Sequence, residues 1–171
     1  ESHAEARWHL AEGAHLSCAP EPTVAYADAA HHARTTVRLE PGASLAWLDT
    51  LAAHGAFERV TSSLRVFFGD ALAVHDAYDV RPRHLAGAVG TALFLRSGMT
   101  PERSARLVAA ADAAATLARA DPEIAVGVGS PAAGGVFVRA TGRHVRAVRS
   151  VLATLLVALR RIDVAAESPS G

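Results

Sequence analysis

The chain has 171 residues, with 17 basic and 17 acidic side chains and a formal net charge of zero. That balance argues against a nucleic-acid or anionic-membrane surface, since both need a basic excess. One cysteine, Cys18, excludes an internal disulfide and a cysteine zinc cluster.

The length is that of one domain able to bury a sizeable core. Every cation is arginine, alanine is abundant, and lysine, asparagine and glutamine are absent. This reads as coding bias, so the alanine count is not taken as helix propensity. The single cysteine fits a reducing compartment, and a cytoplasmic location is expected. The longest apolar run, 150–159, is about half of what a membrane span needs. The first residues lack the basic-then-apolar form of a signal peptide. They lead straight into a strand pattern at 6–10, which suggests a shortened N-terminus or a missing sheet partner.

Trp8-His9-Leu10-Ala11-Glu12-Gly13-Ala14-His15-Leu16 reads as a first glycine-centred β-hairpin. Pro20-Glu21-Pro22 interrupts, 23–26 is a short strand, and 28–32 is a polar tip carrying His31 and His32. From Ala33 the residues alternate, with Ala33, Thr35, Val37 and Leu39 on one face and Arg34, Thr36, Arg38 and Glu40 on the other. A period of two predicts a half-buried strand. Pro41-Gly42 suits a type II turn, and Leu45 and Trp47 resume the pattern. A third unit spans 61–78 about Gly69-Asp70, with type II′ chemistry. Gly13, Gly42 and Gly69 stand 29 and 27 residues apart. That spacing predicts stacked hairpins with Leu10, Leu39 and Val66 or Phe68 facing one core.

Residues 89–95 are apolar enough for a buried strand. Thr100 as N-cap, Pro101 at the first helical position and Glu102 near the positive end predict a helix over about 101–120. Few of its apolar side chains are larger than alanine, so close packing through alanine is expected. Strands follow near 124–128 and 136–139, joined by a flexible turn at 130–135. Val145, Val148, Leu152, Leu155, Leu156, Leu159 and Ile162 recur at three and four, predicting a last helix over about 143–162 with one buried stripe. Arg143, Arg146 and Arg149 line another side and are the candidate partner-binding residues. The domain is expected over 1–164, with a disordered tail at 165–171.

No GxSxG, P-loop, Rossmann or HExxH motif is present. Val126-Gly127-Val128-Gly129-Ser130 lacks the ending of a phosphate loop. None of the nine histidines are spaced at i and i+4, the arrangement a helix needs for a metal site. His31 and His32 are the best metal candidates, provided that an irregular loop lets both reach one ion.

The order of the pieces resembles a known family. Leu16-Ser17-Cys18-Ala19-Pro20-Glu21-Pro22-Thr23-Val24 is similar to the Leu-Glu-Trp-Leu-Pro-Gln-Glu-Thr-Ile segment of the D-type (H-type) urease accessory proteins. The Leu-x-Pro-Gly-Ala-x-Leu turn of that family stands here at 39–45. The apolar strand at 89–95, the glycine-rich segment at 125–139 and the final helix follow in the same order. The resemblance covers nearly the whole chain but only the last two-thirds of a typical member. The family's Pro-Gln-Glu is Pro20-Glu21-Pro22 here, and its Gly-Arg-x-Gly-Glu stretch is reduced to His54-Gly55-Ala56-Phe57-Glu58.

The resemblance implies a divergent, non-catalytic scaffold that binds a helical F-type accessory partner, through it a GTPase, and apo-urease. It implies nickel in transit, no tightly bound cofactor, and neither nucleic acid nor membrane as partner. The implied fold is α+β and mostly β, a β-helix-like two-layer stack of antiparallel hairpins followed by two helices. The competing reading is a small-molecule-binding or hydrolytic β-sandwich, which requires a deep pocket with convergent polar groups.

Overall fold

The computed structural model describes residues 1–85 and 87–165. Its elements in chain order are β1 (Ser2–Leu10), β2 (His15–Cys18), β3 (Thr23–Ala25), β4 (Ala30–Leu39), β5 (Ser44–Ala53), β6 (Arg59–Phe68), β7 (Ala71–Val80), β8 (Ala88–Arg96), α1 (Pro101–Ala118), β9 (Ile124–Gly129), β10 (Val136–Gly142) and α2 (Val145–Ala165). One sheet has the order β1-β4-β6-β7. The other has the order β2-β5-β8-β10-β9, with β3 also paired to β5. The fold is α+β and mostly β, as expected.

The repeat is architectural, and its register is legible residue by residue. Ser2 pairs with His31 and Leu10 with Leu39. Ala30 pairs with Arg59 and Leu39 with Phe68, while His15 pairs with Ser44 on the other sheet. Each step is 29 residues, and each pairing is parallel. The turns stack as well: the Gly13 amide donates to the Pro41 carbonyl and the Gly69 amide to the Leu39 carbonyl, at 3.0 and 3.1 Å. Gly13, Gly42 and Gly69 all sit between strands with φ of +67°, +71° and +57°, a backbone state that favours glycine. Leu10, Leu39 and Val66 share one buried cluster.

The pairing within each unit differs from a hairpin at two of the three turns. Strands β1 and β2 leave Gly13 for different sheets, and so do β4 and β5 at Gly42. A hairpin needs the returning strand to bond to the strand it came from. Here β4 already bonds β1 and β6, and β5 bonds β2, β3 and β8, so neither has a free edge for the other. Of these three turns, Gly69-Asp70 alone closes an antiparallel hairpin, between β6 and β7. Pro20-Glu21-Pro22 splits one edge into β2 and β3, both parallel to β5, because proline has no amide to donate to the ladder.

The layers are sheet, sheet and helices. Strand β5 is buried on both faces. Leu45 and Trp47 join the core between the sheets, while Ala46 and Leu48 join the core beneath the helices. Strand β8 divides in the same way, Leu93 and Leu95 against Ala92 and Phe94. Burial on both faces explains why these strands read as continuous apolar runs.

Helix α1 opens as expected, with the Thr100 hydroxyl accepting from the Arg103 amide and Pro101 at the first position. It packs through Leu107, Ala111 and Ala115. It is followed by the β9–β10 hairpin, so only α2 is C-terminal. Helix α2 begins at Val145, two residues after the expected start, and runs past Ile162. Its stripe buries Val148, Leu152, Leu155, Leu156 and Leu159 but ends on buried Asp163, with Ile162 exposed. Residues 166–171 of the expected tail lie outside the described residues. Among the described residues, no helix is long and apolar enough to cross a membrane.

Candidate functional site

Between the sheets, a polar row crosses the apolar core. Asp49 on β5 pairs with Thr91 on β8, and Thr91 with Arg139 on β10. Asp76 and Tyr78 on β7 face this row from the other sheet. Arg139 Nη2 donates to Asp76 Oδ1 at 2.5 Å and to Thr91 Oγ1 at 3.4 Å, and its guanidinium lies 5.2 Å from the Phe137 ring. The Tyr78 hydroxyl donates to Asp49 Oδ2 at 3.4 Å. The row separates the Trp47–Leu93 cluster from the Leu51–Val60–Val80 cluster.

Burial pushes the Asp49 carboxyl above the usual carboxylate range. The Thr50 amide and the Tyr78 hydroxyl oppose this, the Asp76 charge adds to it, and His31 opposes it. Burial, then the Asp49 charge, likewise drive the Tyr78 phenol upward, and the same two causes raise the Cys18 thiol. Chemically, the row is a low-dielectric place where a proton or cation is favoured beside two carboxylates balanced by one arginine.

The sign of the linkage gives a test. The folded chain holds the Asp49 proton more tightly than the unfolded chain. The stability this supplies is complete below the ordinary carboxylate range and is lost as pH rises through the raised value. Asp49→Asn, which keeps an oxygen to accept from Tyr78, is expected to be more stable than the parent at neutral pH. The difference should close in acid. Urea denaturation at both pH values measures it, and a variant weaker than the parent at neutral pH defeats the assignment.

His31 and His32 do not lie on a polar tip, because β4 already begins at Ala30. Neighbouring strand residues point to opposite faces. His31 lies on the face shared with Val37 and Leu39, its Nδ1 2.8 Å from Ser2 Oγ. His32 lies on the outer face, its Nδ1 2.7 Å from Thr61 Oγ1. The two therefore do not converge on one ion. His32 instead stacks on His3, which pairs with it across β1 and β4; the ring centroids are 5.0 Å apart. A groove of about 790 Å³ runs past His3, His32, Arg34, Thr61 and Asp79. Among the described residues, no three histidine, cysteine or carboxylate side chains are already arranged to hold a metal ion.

The arginine triad also divides. Arg143 precedes α2 and lies 3.9 Å from Glu123. Arg149 donates to the carbonyls of Pro20 and Ala19, at 2.5 and 3.0 Å, and so clamps the loop between β2 and β3. Arg146 is exposed. Further along the same outward side stand Ser150, Ala153, Thr154, Val157, Arg161 and Val164, all exposed. Val157 and Val164 are 50% and 62% accessible, a signal the sequence carried at helical spacing beside the buried stripe.

Comparison with known proteins places the chain in a class. The model of the UreD urease accessory protein family matches residues 1–170. An alignment of 70 positions that covers 37% of this chain is 33% identical to the urease accessory protein UreD of Acetivibrio thermocellus and covers 27% of that protein's length. The chain belongs to the UreD urease accessory protein family.

Proposed function

We propose that the chain is a non-catalytic scaffold for urease maturation, holding a helical accessory partner and through it a GTPase, and leading nickel toward apo-urease in the cytoplasm. Nickel is cargo in this reading, and no cofactor is held tightly. The observation that carries it, in a chain of this family, is the outer face of α2. Arg146 and Arg161 stand at either end of small and apolar residues left in solvent. Small residues let a second helix approach closely, and arginine pairs bidentately with carboxylates at an interface rim.

Arg149 is excluded from the test, because its role on the Pro20 and Ala19 carbonyls is internal. The double variant Arg146→Glu/Arg161→Glu leaves the buried stripe intact and is expected to fold. Capture of the purified helical accessory partner should fall by about tenfold or more, since like charges across an interface cost several kcal/mol. Undiminished capture by the folded variant moves the binding surface elsewhere.

A further inference from the structure

We infer that His15, Ser44 and Arg160 form a carboxylate-binding cavity, which takes an acidic side chain of the partner helix that packs on α2. The sheet register places the first two residues. His15 on β2 pairs with Ser44 on β5, and Ser44 pairs with Arg96 on β8. All three lie on the face shared with Ala46 and Phe94, the face that α2 covers. A row of hydrogen-bond donors therefore crosses three strands beneath the last turns of that helix. Arg160, Asp163 and Val164 close the space from above and leave a cavity of about 290 Å³.

The wall is rich in donors and in positive charge. His15 Nδ1 lies 2.8 Å from the Ser44 hydroxyl, so Nε2 is the ring nitrogen left for a ligand. Asp163 is the carboxylate in the wall, and it has Arg96 against one oxygen and Arg103 against the other. Arg160 is half-buried at the mouth, and no carboxylate among the described residues pairs with it. Charges drawn out of water are ordinarily paired, and a planar guanidinium takes a carboxylate through two parallel N–H bonds. Burial, then the Arg160 charge, hold the His15 imidazole below its usual range; Asp163 opposes this and Arg96 adds to it. A bound carboxylate reverses that balance and favours the protonated ring.

The source of the carboxylate follows from where the cavity opens. Arg160 and Val164 also line, with Val157 and Arg161, a groove of about 460 Å³ on the outer side of α2. A helix seated there brings an acidic residue at its edge to the mouth of the cavity. The occupant rests on the accessory reading above, whereas the cavity rests on the register and the charge of its wall.

The test is an NMR titration of the isolated chain with sodium acetate at constant ionic strength, with sodium chloride as the balancing salt. The His15 ring resonances should shift saturably. Binding should tighten from about pH 8 to about pH 6, as the imidazole takes up a proton. It should weaken by about tenfold or more in Arg160→Gln, the cost of one lost charge-assisted hydrogen bond. It should stay within about twofold in Arg146→Gln, an exposed arginine of the same helix outside the cavity. Capture of the purified accessory partner by Arg160→Gln should fall by a similar factor. Absence of a saturable shift, an equal shift from chloride alone, or undiminished acetate binding in Arg160→Gln overturns the cavity and leaves the α2 reading to its own charge-reversal test. Acetate binding with undiminished partner capture overturns the assignment to a docked helix and makes a small organic acid the ligand.

Discussion

Asp163→Ala is expected to lower the unfolding free energy by about 3 kcal/mol, the cost of removing one partner from a buried ion pair. The Asp163 side chain is 4% exposed and lies between two arginines that are themselves about one-fifth exposed. Arg96 Nη1, at the end of β8, donates to Oδ2 at 2.9 Å. Arg103 Nη2, in the first turn of α1, lies 2.6 Å from Oδ1 and donates to the Asp163 carbonyl at 2.7 Å. One carboxylate on the last turns of α2 thus ties that helix to α1 and to the middle sheet. Alanine removes the counter-charge and leaves two largely buried guanidinium groups to be neutralised by their remaining contacts. Asp163→Asn keeps an oxygen acceptor and should lose less. Urea denaturation at neutral pH reads both, with an unchanged slope if the native state keeps its shape. A loss below about 1 kcal/mol in the alanine variant would place the pair among ordinary surface contacts.

The sequence position of Asp163 shows why such a feature was hard to read. The three-and-four pattern of α2 was legible, and its five central residues are buried as expected. Periodicity continued to Ile162, the nearest apolar residue. The fold instead turns Asp163 inward, because its two partners lie 60 and 67 residues away on other elements.

The same distinction runs through the sheets. Strand alternation, the Thr100 cap and the 29-residue repeat are local or periodic facts, and each was readable. Whether Pro41-Gly42 returns the chain to its own strand or carries it to another sheet depends on which edges distant strands occupy. The turn residues serve either outcome. The polar row was hidden for the same reason. Asp49, Thr91 and Arg139 become neighbours only through register, and Asp49 occupies a place that alternation alone assigns to the core. His31 and His32 are adjacent in sequence but lie on opposite faces of β4. In a parallel sheet the side chain beside His32 comes from one rung away, and that residue is His3.

Gly135→Ala should be the most damaging single-methyl change in the loop between β9 and β10, with a loss of at least about 3 kcal/mol from strain and overlap together. Gly135 has φ of +97°, and a Cβ there would lie 2.4 Å from the Phe94 carbonyl oxygen and 3.3 Å from the Leu95 Cα. Those are backbone atoms of β8, which is held on both edges and has no room to retreat. The residue is also the point where α1 grips the hairpin. Its amide donates to Ser104 Oγ at 2.9 Å, and Ser104 is buried. A segment that reads as flexible is therefore pinned from both sides. The neighbouring Gly134 supplies the comparison, because its φ is +84° but the nearest atoms to an added Cβ are 3.9 Å away. Gly134→Ala carries the left-handed strain without the collision and should cost about 1–2 kcal/mol. Thermal or urea denaturation of the two variants side by side separates the terms. Equal losses would mean that backbone conformation alone sets the cost and that the approach of β8 to this turn is loose.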